Sequence, residues 1–236
     1  MNTLNRRILD YAAWGGAAAA VVTCIGWWIA GILPVPMSPS WDAARTAAFF
    51  TEEPNRVLLG FVVSSIGVVL AAPMYALITL HMLRSEGRTP VLAFTQLVVA
   101  TVTVAINLFP QLIWAVAAFR ADRNPDDIVL LNDLAWLIVF PAITAFIIQN
   151  IAIGIVALRD TTGIFPRWIG YLNFLVAFSF LPDPLAFFLK TGPFAWNGVF
   201  VFWLALTSYC VFLVAMGFVC RRANATLQTE PVPAKA

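Results

Sequence analysis

The chain has 236 residues, of which 61% are apolar and only 11% are charged, and its net charge is +2. Soluble domains carry about 25% charged residues, so this composition excludes a water-soluble globular protein and predicts an integral membrane protein. The small net charge and the scattered Lys and Arg residues exclude nucleic acid as a partner, and the lipid bilayer is the predicted surrounding.

Six apolar stretches are each long enough to cross a bilayer, which takes about 20 helical residues. Their predicted bounds are 11–33, 57–83, 91–119, 128–158, 168–189 and 197–220. The stretches lack the alternating pattern of barrel strands. We therefore predict an all-α polytopic transmembrane helical bundle of six spans, in which residues 1–220 form one domain and residues 221–236 form a polar cytoplasmic tail.

The basic residues between the spans predict the orientation of the chain. One side holds nine of them: Arg6, Arg7, Arg84, Arg88, Arg159, Arg167, Arg221, Arg222 and Lys235. The other side holds five: Arg45, Arg56, Arg120, Arg123 and Lys190. Because Lys and Arg concentrate in cytoplasmic loops, we expect a multi-pass protein of the cell membrane (inner or plasma membrane) with both termini in the cytoplasm.

The first outer loop predicts a short amphipathic helix. Ser38 is placed to cap it, with Pro39 at the first helical position. At helical spacing, Trp41, Ala44, Ala48 and Phe49 share one face. Such a helix lies at the membrane interface, either as a lid over the bundle or as a plain connector.

Prolines predict breaks in the fourth and fifth spans. Asn124 and Pro125 mark the start of a helix, and Pro141 is expected to kink it. In the fifth span, Asp183 lies between Pro182 and Pro184, which predicts a helix break near the outer edge of the membrane. The apolar residues 185–189 then either re-enter the protein or lie in the interface.

Polar and aromatic residues converge at this outer depth. Gln111 and Trp114 lie on one face of the third span, Asn132, Asp133 and Trp136 lie early in the fourth, and Trp196 and Asn197 begin the sixth. Together with Asp183 they predict a cup that faces outward. Its two carboxylates, Asp133 and Asp183, are the candidate catalytic acids, and the other six residues are candidate ligand-binding groups. The alternative is that these residues form no site and simply lie at the membrane interface, as Trp residues commonly do.

Other polar residues have structural explanations. Gln149, Asn150 and Asn173 are expected to make interhelical hydrogen bonds, with an inner transport gate as the alternative. His81 is expected where a helix leaves the membrane, near Arg84. The three cysteines show neither a disulfide framework nor a metal-ligand spacing, and no metal or cofactor is predicted.

One short segment carries a resemblance. The residues Phe165, Pro166, Arg167, Trp168, Ile169 and Gly170 resemble the loop-and-span segment of an uncharacterised bacterial family of polytopic integral-membrane proteins. The resemblance implies a topology in a bacterial inner membrane and no particular activity.

Three functions fit this pattern. The favoured one is a non-enzymatic protein that binds a lipophilic small molecule, or that serves as a subunit beside a membrane partner or a second copy of itself, because small residues such as Gly26 and Ala30 suit helix packing. The second is an enzyme that acts on an isoprenoid-like or steroid-like substrate with a carboxylic acid as proton donor. The third is a small transporter.

Overall fold

The computed structural model describes residues 3–120, 122–140 and 143–227, and within these ranges the regular secondary structure is all helical. Its α-helices are α1 (Thr3–Ala30), α2 (Ala43–Thr51), α3 (Pro54–Val69), α4 (Ala72–Glu86), α5 (Val91–Phe119), α6 (Pro125–Val139), α7 (Thr144–Arg159), α8 (Arg167–Ser179) and α9 (Leu204–Leu227). A 3₁₀ turn at Asp183–Phe187 and a π-helical turn at Val199–Trp203 lie between α8 and α9.

Six stretches of helix are long and apolar enough to cross a membrane: Arg6–Ala30, Pro54–Glu86, Val91–Phe119, Pro125–Arg159, Arg167–Phe187 and Val199–Ala225. The predicted six-span bundle is thereby confirmed, and the chain is a multi-pass membrane protein. We call the side on which α1 begins the terminal side and the opposite side, which carries α2, the distal side.

The second span is not one helix, as the sequence had predicted, but two. Helix α3 ends at Val69 and α4 begins at Ala72. Pro73 is the cause, because its ring clashes with the carbonyl four residues earlier, which belongs to Val69, and it has no N–H to donate. By contrast, Pro110 lies inside α5 without ending it.

The fourth span is also divided. Helix α6 ends at Val139 and α7 begins at Thr144, so the span predicted over 128–158 is made of two helices. The kink predicted at Pro141 falls on a residue outside the described ranges. The predicted start is confirmed, since the Asn124 side chain accepts a hydrogen bond from the Asp126 backbone N–H and Pro125 begins the helix.

The break in the fifth span occurs where Pro182 predicted it. Helix α8 ends at Ser179, and the chain continues into the 3₁₀ turn that holds Asp183 and Pro184. Within residues 185–189 only Ala186 is buried, whereas Phe188 is 80% exposed. The apolar side chains of this segment therefore point away from the protein, as expected for a segment at the membrane interface.

Close packing of small residues joins α1 to α3. A Cβ atom added to Gly26 would lie 2.4 Å from the backbone nitrogen of Ser64, and one added to Gly60 would lie 2.4 Å from that of Ala30. Only glycine allows the two backbones to approach this closely. The face predicted from Gly26 and Ala30 is therefore a packing face within the bundle.

The amphipathic helix of the first distal loop is present, with different details. Its N-cap is Asp42 and not Ser38, and it begins at Ala43. It buries Thr46, Ala47 and Phe50, which is not the face predicted from the sequence. Because α2 packs against α6, α3 and α5, it covers the distal ends of these helices in the manner of a lid.

The last helix extends beyond the predicted span and into the predicted tail. It continues to Leu227 because Asn224 docks it to the bundle: its Oδ1 lies 3.0 Å from His81 Nε2, and its Nδ2 donates to the Leu9 carbonyl. His81 is fully buried, and its Nδ1 lies 3.3 Å from Arg84 Nη1 near the end of α4, while its depth relative to the membrane stays a prediction. Residues 228–236 lie outside the described ranges.

Candidate functional site

Four of the predicted aromatic and amide residues of the cup form one cluster on the distal side. The Trp114 and Trp136 ring centroids are 4.9 Å apart, and those of Trp136 and Trp196 are 6.0 Å apart in a stacked arrangement. Asn132 accepts a hydrogen bond of 3.2 Å from Trp114 Nε1. The sequence had placed these residues at one depth, and α5, α6 and the segment before α9 bring them into contact.

Further aromatic residues fill the centre of this cluster. Phe61 stacks on Trp114, while Phe140 and Phe202 pack against Trp136. Trp114, Trp136 and Trp196 are each at most 5% exposed. The residues thus form a packed aromatic cluster rather than the wall of an open space. Asn197 is half-buried beside it.

Gln111 connects the cluster to the interior of the bundle. Its Oε1 accepts hydrogen bonds from Trp27 Nε1 at 2.9 Å and from Ser64 Oγ at 2.8 Å. The Trp27 ring stacks in turn on Phe202. One amide therefore ties α5 to both α1 and α3, which is a structural role in addition to any role in ligand binding.

The two candidate acids have different surroundings. Asp133 is half-exposed and lies within electrostatic reach of Lys190. Asp183 is 0% exposed, and neither of its carboxylate oxygens accepts a hydrogen bond from any described residue. A buried acid without a hydrogen-bond partner raises the free energy of the folded state. No hydrogen bond or ion pair joins the two acids within the described part of the chain, so their sharing of one cavity stays a prediction.

A small cavity lies in the interior, below the aromatic cluster. Its volume is about 40 Å³, enough for a few water molecules and too small for a ring-bearing ligand. It is lined by residues of α1, α3, α5 and α9: Ala19, Ala20, Thr23, Cys24, Trp27, Val68, Asn107, Gln111, Leu206, Tyr209 and Cys210.

A larger groove opens sideways between α4 and α5. Its volume is about 420 Å³, and its lining consists of Ala72, Tyr75, Ala76, Leu97, Ala100, Thr101, Val104, Ala105, Leu108 and Phe109. A second groove of about 630 Å³ at the α3–α4 break shares Ala72 and Leu108 with it. The break at Pro73 therefore leaves a concave, almost wholly apolar surface in the middle of the membrane.

A pair of tyrosines connects this lateral groove to the interior cavity. Tyr75 lines the groove, Tyr209 lines the cavity, and their hydroxyl oxygens are 3.0 Å apart. The sequence analysis missed both residues, together with Asn107. The available signal was the spacing of Gln96, Thr103, Asn107 and Gln111 on α5, which places four polar side chains on one helix face.

The amide side chains of Gln149, Asn150 and Asn173 differ in whether they bond to another helix or within their own. Gln149 accepts an interhelical hydrogen bond of 3.1 Å from the Thr103 hydroxyl. Asn150 and Asn173 each donate to a carbonyl four residues earlier in their own helix. The prediction of interhelical hydrogen bonds is therefore confirmed at Gln149 and also at Asn173, whose Nδ2 makes a 3.6 Å hydrogen bond to Met216 Sδ of α9.

Asp160 organises the terminal side, outside the spans. Its carboxylate accepts hydrogen bonds from the Ser85 hydroxyl at 2.8 Å, from Thr162 and from the Phe165 backbone N–H. Partial burial raises the pKa of Asp160, but these hydrogen bonds outweigh burial, so that the pKa lies below its ordinary value. The acid therefore joins the end of α4 to the α7–α8 loop.

Within the described ranges, no group of three or more His, Cys, Asp or Glu side chains could hold a metal ion. In comparisons with known proteins, no protein-family model, no curated protein and no solved structure matches the chain.

Proposed function

We propose that the protein binds a lipophilic small molecule that enters sideways from the bilayer into the groove between α4 and α5. The observation that carries the proposal is the hydrogen bond between Tyr75 and Tyr209, which joins an apolar groove to an interior cavity whose wall includes hydroxyl and amide groups. A lipophile with a polar head fits such a surface, because its apolar body lies in the groove and its head meets the tyrosine at the floor.

The groove favours a small molecule over a partner helix. Its volume of about 420 Å³ falls in the range of small-molecule pockets, roughly 300–1,000 Å³. Four of its ten lining residues are alanine, and these small side chains produce a concavity rather than a flat packing stripe. Its lining includes two hydroxyl groups: that of Thr101 donates to the Leu97 carbonyl, and that of Tyr75 can both donate and accept a hydrogen bond.

The experiment uses a sterol that carries a photoactivatable diazirine, with the protein reconstituted in phospholipid vesicles. We expect labelling within residues 97–109 that excess unmodified sterol suppresses. The Ala76→Trp variant fills the groove and should lose the label, whereas Val21→Trp, on the exposed face of α1, should keep it. Unsaturable labelling spread over all lipid-facing helices would contradict the proposal, and so would equal labelling of the Ala76→Trp variant and the wild type.

A second candidate function rests on Asp183. Ionisable groups buried at membrane depth tend to serve function, and Asp183 is the acid without exposure or a described partner. In this proposal it acts as the acid on an isoprenoid-like or steroid-like molecule. The Asp183→Asn protein, isolated from its host, should then carry a lipophile that the wild type lacks in mass spectra of lipid extracts. Asp133→Asn is the matched comparison, and identical extracts from Asp183→Asn and wild type would remove this candidate.

We also propose that the protein lies in the cell membrane with both termini in the cytoplasm, on the basis of the nine basic residues on the terminal side and five on the distal side. Ser40 and Thr161 are exposed on opposite sides. A membrane-impermeant maleimide added to intact cells should label a Ser40→Cys variant and spare a Thr161→Cys variant. The reverse result would invert the topology.

A further inference from the structure

The cavity below the aromatic cluster holds two thiols that the proposed lipophile site does not use. Cys24 of α1 and Cys210 of α9 both line this cavity, and their thiols are close enough to interact with each other. Both are free thiols and both are half-buried, whereas the third cysteine, Cys220, is fully buried. The pair therefore combines mutual proximity with partial exposure.

The two helices that carry the thiols pack with almost no side-chain layer between them. A Cβ atom added to Gly217 of α9 would lie 2.5 Å from the Ala13 carbonyl oxygen of α1, and one added to Gly16 would lie 2.9 Å from the Leu213 carbonyl oxygen. These contacts hold α1 close to α9 on the terminal side of the two thiols. A disulfide requires Cα atoms about 4.4–6.8 Å apart, a separation that two helices reach only at close approach.

We propose that Cys24 and Cys210 form a reversible redox pair that a quinone-class oxidant from the bilayer closes to a disulfide. Two S–H bonds break and one S–S bond forms. The two electrons and two protons pass to the quinone, which becomes a quinol. A lipid-soluble oxidant is required because the thiols lie within the membrane spans, where charged water-soluble oxidants do not enter. The bridge ties α1 to α9 across the cavity.

A metal site is the competing use of paired thiols, and the surroundings disfavour it. Zinc takes four ligands in structural sites. The described residues offer no third His, Cys, Asp or Glu beside the pair. The side chains that complete the cavity wall near the thiols are the neutral groups of Thr23, Asn107 and Tyr209.

The test uses the full-length protein in vesicles and duroquinone, a tetramethylated quinone whose ring cannot add thiols. After treatment, the protein is denatured and its remaining thiols are counted with N-ethylmaleimide. We expect the count to fall from the three cysteines of the chain to one, with Cys24 and Cys210 joined in peptide maps and the count restored by dithiothreitol. This outcome does not depend on whether a lipophile binds in the groove.

Three variants make the result specific. Cys220→Ser should fall from two thiols to none, while Cys24→Ser and Cys210→Ser should each keep both of their thiols. The wild-type measurement needs no substitution, so a folding defect in a variant does not decide the outcome. A wild-type count that stays at three, a bridge that includes Cys220, or a bridge between two copies of the chain would each overturn the proposal.

Discussion

Replacing Asp183 by leucine should make the protein more stable. The carboxyl group is 0% exposed, and both of its oxygens are without a hydrogen bond from any described residue. Leaving a buried polar group unsatisfied costs about 1–3 kcal/mol in protein mutational data. Leucine has the same branched skeleton as aspartate, with two methyl groups in place of the two oxygens, so Asp183→Leu removes this cost with little change in shape. We expect a gain of about 1–3 kcal/mol.

The assay is unfolding in mixed micelles of rising dodecyl sulfate content, followed by tryptophan fluorescence. The fluorescence reports on the aromatic cluster, because Trp114 and Trp136 are fully buried in the folded state. Asp133→Leu is the matched control. Asp133 is half-exposed and near Lys190, so its replacement should change the stability by less than about 0.5 kcal/mol.

Loss of more than about 1 kcal/mol in Asp183→Leu, with Asp133→Leu neutral, would refute the reasoning. That result would mean that the Asp183 carboxylate has a favourable partner whose removal costs stability. A gain, by contrast, would show that the chain keeps an acid at this position against its own stability, as expected where a residue serves function rather than folding.

Three further predictions concern packing, the tyrosine pair and the terminal side. Gly60→Leu should destabilise the protein by at least about 1–3 kcal/mol in the same unfolding assay, because its Cβ would lie 2.4 Å from the Ala30 backbone nitrogen, whereas Val62→Leu, on the exposed face of α3, should be neutral. Tyr209→Phe should cost about 0.5–1.5 kcal/mol through loss of the Tyr75 hydrogen bond, and an unchanged midpoint would show that this bond is not made. Since the pKa of Asp160 is depressed in the folded state, its stabilisation is present above the unfolded value of about 3.9 and is lost as the pH falls through the lower folded value. The unfolding midpoint of wild type should therefore drop relative to that of Asp160→Asn as the pH falls below about 4, and parallel curves would contradict the role given to Asp160.

The spans could be predicted from the sequence because the requirement of about 20 apolar residues is strong and local. The helix breaks could be predicted only in part. Pro182 broke its helix as expected, because Asp183 and Pro184 reinforce the break. Pro73 and Pro110 both lie within apolar spans, yet of the two only Pro73 has a break beside it. Pro110 has Asn107 and Gln111 nearby and Pro73 has only apolar neighbours and Tyr75, but this difference does not predict which helix breaks, because the cost of a proline depends on which neighbouring helices can take up the freed backbone groups.

The candidate site, like the helix breaks, could be predicted from the sequence only in part. Trp114, Asn132, Trp136 and Trp196 could be placed together because topology fixes their depth, and depth alone brings them to one end of the bundle. Their packing into a filled cluster could not be predicted, since it depends on Phe61 and Phe202 from other spans. The interior cavity was missed for a related reason, because its lining comes from four helices that are distant in the sequence.

The break at Pro73 explains why the groove lies where it does. Inside a membrane, interrupted backbone must be covered by protein. Helix α1 supplies this cover on one side: a Cβ atom added to Gly15 would lie 2.5 Å from the Leu70 carbonyl oxygen, and one added to Gly16 would lie 2.3 Å from Met74 Sδ. Two consecutive glycines thus let α1 press against the break. On the other side α5 presents Ala105 and Leu108, which are too small or too distant to fill the space, so the groove opens toward lipid. The proline that interrupts the second span therefore also creates the concave surface. Tyr75, two residues further along α4, connects this surface to the interior cavity through its hydrogen bond to Tyr209.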